Sequence, residues 1–159
     1  MLRGIIICVR RFSAIQRTNL LQMILLDNFL IKIDYNPATD IAIIDYPALF
    51  DFELPEVQHS IELLTETIQN YNVSKILIKP TRTTPERSQE EGGEIAAYLA
   101  EKLKKAQVKK MARVQSNYSE VEENACKSAQ LLEASRSIRT QVRFFRGKPA
   151  AMEWLKSDD

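Results

Sequence analysis

One short apolar run constrains the fold of this chain more than any other stretch. Residues 73–80 read Val-Ser-Lys-Ile-Leu-Ile-Lys-Pro, and helix-like patterns lie on both sides of them. A brief aliphatic run that ends at a proline is typical of a strand buried on both faces of a sheet. We therefore predict that residues 73–80 form a central strand, and that helices cover the sheet around it.

The residues before this run predict a β-hairpin. Alternate positions from Phe29 to Tyr35 are apolar or aromatic, which is the period of a strand with one polar face. Residues 36–40 read Asn-Pro-Ala-Thr-Asp and have the composition of a turn, so residues 41–46 would form the returning strand. A further short strand, at residues 24–26, would precede them.

The rest of the chain alternates between helical and strand patterns. Pro55 suits the first turn of a helix, and apolar positions recur from Val57 to Tyr71 at spacings of four and three residues. A second helix is expected from about Glu91. Residues 108–115 and 141–146 have strand-like patterns, each preceded by a helical one.

The end of the chain predicts a last helix that begins near Pro149. Ala151, Trp154 and Leu155 would lie on one face of it, with Trp154 buried. A hairpin followed by alternating helices and strands implies right-handed crossovers. We therefore expect an α/β domain over residues 23–156, with a mixed, mostly parallel sheet and helices on both faces.

Residues 1–22 differ from the remainder, because they contain four arginines and no acidic residue. Three interpretations remain open. This leader could be an upstream extension before a functional start at Met23, a basic segment that docks on a partner or membrane, or an organellar transit peptide. We expect residues 1–22 to be a disordered leader or the product of a mis-set start.

Few residues suggest catalysis. The only histidine, His59, falls on the polar side of its helix, and Cys8 and Cys126 have no metal-binding or disulfide spacing. Gly92-Gly93 lacks the other residues of a phosphate-binding loop. We therefore expect a non-enzymatic protein without a metal or cofactor, in a reducing compartment. No apolar run is long enough for a transmembrane segment.

Two basic runs, at residues 102–113 and 136–148, are interpreted mainly as solvated faces. Aromatic side chains are not interleaved with these charges in the way that single-stranded nucleic acid favours, so no nucleic-acid partner is expected.

The strongest candidate for a working surface is the polar segment after the central strand. Thr81, Thr83, Thr84 and Ser88 follow the carboxyl end of that strand, where open α/β sheets bind ligands. Ser88-x-x-Glu91 and Ser119-x-x-Glu122 also match the capping box, so helix capping is the simpler explanation for Ser88. A phosphate at such a helix start would be stabilised by free N–H groups.

Residues 142–155 (Val-Arg-Phe-Phe-Arg-Gly-Lys-Pro-Ala-Ala-Met-Glu-Trp-Leu) resemble the closing strand and helix of STAS-like domains. These are the sulfate-transporter and anti-sigma-factor-antagonist domains and their bacterial SEC14-like relatives. Residues 26–40 are similar to the opening hairpin of short proteins in this group. The resemblance covers residues 23–155.

This resemblance implies a bacterial, cytoplasmic regulatory module that binds a protein partner. In the antagonist proteins, a serine in an Asp-x-Ser-Gly setting after the central strand is phosphorylated. Here the strand ends Lys-Pro-Thr-Arg-Thr-Thr at residues 79–84, without the aspartate and the Ser-Gly pair, so Thr81, Thr83, Thr84 and Ser88 are candidates by position alone. The SEC14-like relatives imply an alternative, a module that binds a lipid or another small apolar ligand. The oligomeric state is left open.

Overall fold

Each described strand after the first pairs with the strand that precedes it in the sequence. The computed structural model describes residues 22–46, 53–80, 89–134 and 140–158. The elements of these residues are β1 (Met23–Asp27), β2 (Lys32–Asn36), β3 (Ile41–Tyr46), α1 (Leu54–Asn70), β4 (Lys75–Pro80), α2 (Gln89–Leu103), β5 (Lys110–Val114), α3 (Ser119–Ala134), β6 (Gln141–Phe145) and α4 (Lys148–Lys156).

The six strands form one mixed sheet in the order β1-β2-β3-β4-β5-β6. β1 pairs with β2, and β2 with β3, in antiparallel fashion. The pairs β3–β4, β4–β5 and β5–β6 are parallel. The predicted α/β class, the opening hairpin and the mostly parallel sheet are confirmed.

This strand order places the helices unequally on the two faces. From β3 to β6, each new strand is added on the same side of the previous one. Right-handed connections between such parallel strands all cross the same face of the sheet, so α1, α2 and α3 belong on one face. We call it the three-helix face. The main core cluster lies there, where Leu64 and Ile68 of α1 and Leu103 of α2 pack with Ile44 and Ile76 of the sheet. α4 packs on the opposite face, against Leu77 and Ala112 among others. Helices therefore lie on both faces, as predicted.

Strand β4 is the central strand that the sequence predicts. Ile76, Leu77 and Ile78 are exposed by 5% or less, although neighbouring residues of a strand point to opposite faces. Both the three-helix layer and α4 are needed to cover them.

α4 covers only part of its face. It contacts β4, β5 and β6, and Ile41 and Ile43 at the beginning of β3 pack in the same cluster. Further along, this face carries two ion pairs, Lys32 with Asp34 at 3.3 Å and Lys79 with Asp45 at 3.8 Å. On this face the hairpin is therefore apolar at the beginning of β3 and polar elsewhere.

The helical stripe of α1 is confirmed except at its end. Val57, Ile61, Leu64 and Ile68 are buried, but Tyr71 is 49% exposed because the helix ends at Asn70. Pro55 lies in the first turn, as predicted.

The predicted alternation from Phe29 to Tyr35 is wrong at its beginning. The side-chain Oδ1 of Asn28 accepts hydrogen bonds from the backbone N–H groups of Leu30 (2.9 Å) and Ile31 (2.7 Å). This turn reverses the pattern, so Leu30 is buried and Phe29 is 73% exposed. Strand β2 begins only at Lys32.

α2 begins earlier than expected, at Gln89, and continues through Gly92-Gly93. A Cβ at Gly92 would lie 3.2 Å from Nδ2 of Asn124 on α3. The absent side chain thus permits a close approach of α2 and α3, which offsets the low helix propensity of glycine. None of the helices in the described part of the chain has the length and apolar content needed to cross a membrane.

Trp154 joins α4 to the sheet and is 8% exposed, which confirms its predicted burial. Its ring lies 5.6 Å from that of Phe145, and Lys110 Nζ and Arg143 Cζ are 5.1 and 5.0 Å from its centroid. Ala151 and Leu155 are fully buried beside it. One indole thus connects α4 with β5 and β6.

Replacing this indole should destabilise the domain strongly. Trp154→Ala leaves a cavity and removes the ring contacts, so we expect a loss of about 3–5 kcal/mol in the free energy of unfolding, measured by urea denaturation. Tyr71→Ala, at an exposed aromatic residue, is the matched control and should change it by about 0.5 kcal/mol or less. A loss below about 1 kcal/mol for Trp154→Ala would show that α4 does not depend on the indole.

Candidate functional site

The carboxyl edge of the parallel strands is the candidate site. After β5 the chain crosses to α3 on the three-helix face, whereas after β6 it crosses to α4 on the opposite face. The two strand ends are joined there by a hydrogen bond from Gln115 N–H to the Phe145 carbonyl, 2.8 Å. In open α/β sheets, a crevice forms where neighbouring strands lead to opposite faces.

The sequence argument placed the working surface at the carboxyl end of the central strand. β4 has β3 and β5 as neighbours, and all three lead to the three-helix face. The divergence lies one strand further along, between β5 and β6. Thr81, Thr83, Thr84 and Ser88 lie outside the described residues, between Pro80 at the end of β4 and Gln89 at the beginning of α2.

A buried arginine dominates the described part of this edge. Arg113, on β5, is 8% exposed and points to the three-helix face. Its Nε donates to Oε2 of Glu122 on α3 at 3.0 Å, and its Nη2 donates to Oε1 at 3.1 Å. Its Nη1 donates to the hydroxyl oxygen of Tyr46 at 2.7 Å. Because Tyr46 ends β3, this last bond crosses the end of β4. We call Arg113, Glu122, Tyr46 and Ser116 the Arg113 cluster.

Ser116 completes the Arg113 cluster from the loop after β5. Its backbone N–H and its hydroxyl donate to Oε1 of Glu122 at 2.9 and 2.7 Å. Glu122 was expected to cap its own helix in a box with Ser119. Instead α3 begins at Ser119, and the Glu122 carboxylate binds Ser116 and Arg113. Two ionised side chains and one tyrosine thus join β3, β5, the following loop and α3.

The charges of the ion pair stabilise each other. Burial raises the pKa of Glu122, but the hydrogen bonds and the charge of Arg113, together with the hydrogen bonds of Ser116, lower it by more. The pKa of Glu122 therefore lies below its ordinary value. Burial likewise lowers the pKa of Arg113, and its contacts with Tyr46 and Glu122 raise it by more. The pair is therefore fully ionised at neutral pH.

The basic run at residues 102–113 is not a single solvated face. Lys110 is 6% exposed and points to the α4 face, opposite to Arg113. Its Nζ donates to the carbonyl oxygens of Trp154 (3.2 Å) and Ser157 (2.7 Å) at the end of α4. A cation at a helix C-terminus is favourable, because the last carbonyl groups have no partner within the helix.

A third member of this run, Lys102, is also engaged. Glu62 of α1 accepts from the Tyr98 hydroxyl at 2.6 Å and from Lys102 Nζ at 3.2 Å, both from α2. The bond from Tyr98, followed by that from Lys102, lowers the pKa of Glu62. This group joins α1 to α2 at the surface. Lys104, Lys105 and Lys109 are the exposed lysines of the run.

A second polar group lies at the opposite, amino edge of the parallel strands. Asp40 has φ of 54°, in the left-handed region, which aspartate tolerates better than most residues. Its carboxylate accepts bonds from the hydroxyl and backbone N–H of Ser74, and from the Tyr35 hydroxyl at 3.1 Å. Burial, followed by this bond, raises the pKa of Tyr35. The group fixes the hairpin turn against the residues before β4.

The other residues considered for chemistry are dispersed. The His59 side chain is 70% exposed on α1, and its Nδ1 lies 4.0 Å from Glu62. Cys126 is exposed on α3, and Cys8 lies outside the described residues. Among the residues with described side chains, no group of three or more His, Cys, Asp or Glu could hold a metal ion.

Sequence reasoning missed the Arg113 cluster. The available signal was a charged residue within the strand Lys-Met-Ala-Arg-Val, whose neighbours are apolar. A buried charge requires a partner, but the sequence does not identify which of several glutamates supplies it.

No family model matches the chain, and neither the curated proteins nor the solved structures contain a significant match.

Breaking the ion pair should destabilise the domain more than removing the tyrosine bond. Arg113→Met leaves the Glu122 carboxylate without its partner, so we expect a loss of about 3–5 kcal/mol in urea denaturation. Tyr46→Phe removes one hydrogen bond and should cost about 1 kcal/mol. The double variant Arg113→Met/Glu122→Leu should recover much of the loss. Equal costs for Arg113→Met and Tyr46→Phe would contradict a structural ion pair.

The ion pair should also contribute a defined pH dependence. Since the pKa of Glu122 in the folded protein lies below the ordinary value of 4.5, its stabilising effect is complete above that pH and is lost as the pH falls through the folded pKa. The stability difference between wild type and Glu122→Gln should therefore be largest at neutral pH and shrink below 4.5. Glu123→Gln, at an exposed neighbour, is the control. A difference that stays constant on acidification would contradict this assignment.

Proposed function

We propose that this chain is a non-enzymatic regulatory module that binds a protein partner at the carboxyl edge of its sheet. In this proposal it is a STAS-like bacterial protein of the cytoplasm, and the segment after β4 controls binding. The α/β architecture with an opening hairpin supports the proposal, because it is the architecture expected from the resemblance.

The observation that carries the proposal is the Arg113 cluster. It holds the end of β3, the end of β5 and the beginning of α3 in fixed positions around the end of β4. The segment at residues 81–88 leaves β4 at this edge. The Arg113 cluster holds the elements around the end of β4 in place. A change in charge within the hydroxyl-rich segment could therefore alter the surface at this edge without unfolding the domain, as a switch requires.

The chemistry of the cluster favours binding over catalysis. A general acid or base needs a pKa near the working pH, whereas the pKa of Glu122 is lowered from its ordinary value. Its carboxylate also accepts four hydrogen bonds, two from the Arg113 guanidinium and two from the hydroxyl and backbone N–H of Ser116. Such a group holds positions rather than transferring protons.

A charge after β4 should change partner binding without changing stability. Thr84→Glu and Ser88→Glu add a carboxylate within a few residues of Arg82 and Arg87 in the sequence, as a phosphate would add negative charge. Once a partner has been identified by capture with the wild-type chain, we expect each variant to change its affinity by about tenfold or more. The melting temperature should stay within roughly 2–4 °C of wild type.

Matched variants separate this site from other surfaces. His59→Ala and Cys126→Ser, at exposed positions on α1 and α3, should leave affinity and melting unchanged. If Lys104→Glu/Lys105→Glu abolished binding while both loop variants bound like wild type, the lysine surface would be the site and the proposal would be wrong. Native mass spectrometry that found a stoichiometric lipid in the purified protein would instead support the ligand-binding alternative.

A further inference from the structure

In the part of the chain that the structure describes, β1 and β6 are the two edges of the sheet, and they differ in character. At the β1 edge, Met23 is 45% exposed and Ile24 is 60% exposed, and Phe29, in the turn after β1, is 73% exposed. These are three of the five large hydrophobic side chains that are exposed among the described residues. The only charged residue of β1 is Asp27, at its end.

The β6 edge carries charges instead. Arg143 is the central residue of β6 and is exposed, and the exposed Arg146 and Lys148 follow the strand. Charged side chains on an edge strand oppose pairing with another chain, and an apolar edge without them invites it. The β1 edge is thus the one that is suited to accept a further strand.

We propose that β1 pairs with β1 of a second copy of this chain, so that one antiparallel sheet continues through a twofold dimer. In a twofold dimer the same strand lies on both sides of the interface, so β1 must be able to pair antiparallel with a second β1. The burial of Met23 and Ile24, together with new backbone hydrogen bonds, would drive the pairing.

The charge distribution selects a second copy for this edge. Pairing around Leu25, the middle residue of β1, sets Ile24 opposite Leu26 and Met23 opposite Asp27. The two aspartates therefore lie at opposite ends of the paired strands and do not repel each other closely. The same operation on β6 would set Arg143 opposite Arg143, which is destabilising.

The interface should be small. The register of β1 against β2 shifts between Ile24 and Leu26, and such a bulge increases the local twist of an edge. A short, twisted pair of strands buries less than a standard interface, so we expect a dissociation constant of roughly 10–100 μM.

Sedimentation of the full chain tests the proposal. At roughly 1 mM, well above this dissociation constant, the mass should approach twice the 18.3 kDa of one chain. Ile24→Lys places two charges at the interface and should weaken dimerisation by about tenfold or more. The fold should tolerate this change because Ile24 is 60% exposed. Tyr71→Lys, at an exposed aromatic residue on α1's end, is the matched control and should dimerise like wild type.

Hydrogen exchange locates the contact. The backbone amides of residues 23–27 should become more protected as the wild-type concentration rises, and should not do so in Ile24→Lys. A monomer at about 1 mM, an unchanged dissociation constant in Ile24→Lys, or protection at other residues would each overturn the proposal. These results do not depend on partner binding at the carboxyl edge, so the two proposals can fail separately.

Discussion

Strand β4 must bury both of its faces, and the remaining structure meets this requirement. Ile76, Leu77 and Ile78 are almost inaccessible to solvent, so neither face can be left to water. α1 and α2 cover one face, and α4 covers the other. The hairpin shares this requirement only at the beginning of β3, where Ile41 packs with α4, and the rest of its α4-side surface carries ion pairs.

The neighbouring strand β5 attaches both layers to the sheet through buried cations. Arg113 points to the three-helix face and binds Glu122 of α3, while Lys110 points to the opposite face and binds the last carbonyl groups of α4. Each cation lies in an apolar setting, where an unpaired charge would be costly. These contacts therefore hold the first turn of α3 and the last turn of α4 against β5, in addition to the contribution of apolar burial.

The sequence predicted the order and type of the elements well, because apolar residues recur at helical or strand spacing in most of them. It failed where one side chain redirects the backbone or its neighbours. Asn28 forms a turn that inverts the exposure of Phe29 and Leu30. Glu122 resembles a capping residue, but its carboxylate lies near a buried arginine. Lys110 and Arg113 share one basic run, yet they point to opposite faces, and only the pairing of strands shows which elements they meet.

The consecutive strand order has a consequence for how the chain can assemble. Since each strand pairs with the one before it, every addition to the sheet joins residues separated by no more than one helix and its connections. Proteins dominated by such near-neighbour contacts fold faster than those that must close long loops. As the chain emerges from the ribosome, the sheet can grow from the hairpin in the direction of synthesis. Among the described helices, α4 alone packs on the second face, so β4 remains half covered until residues 148–156 have been made.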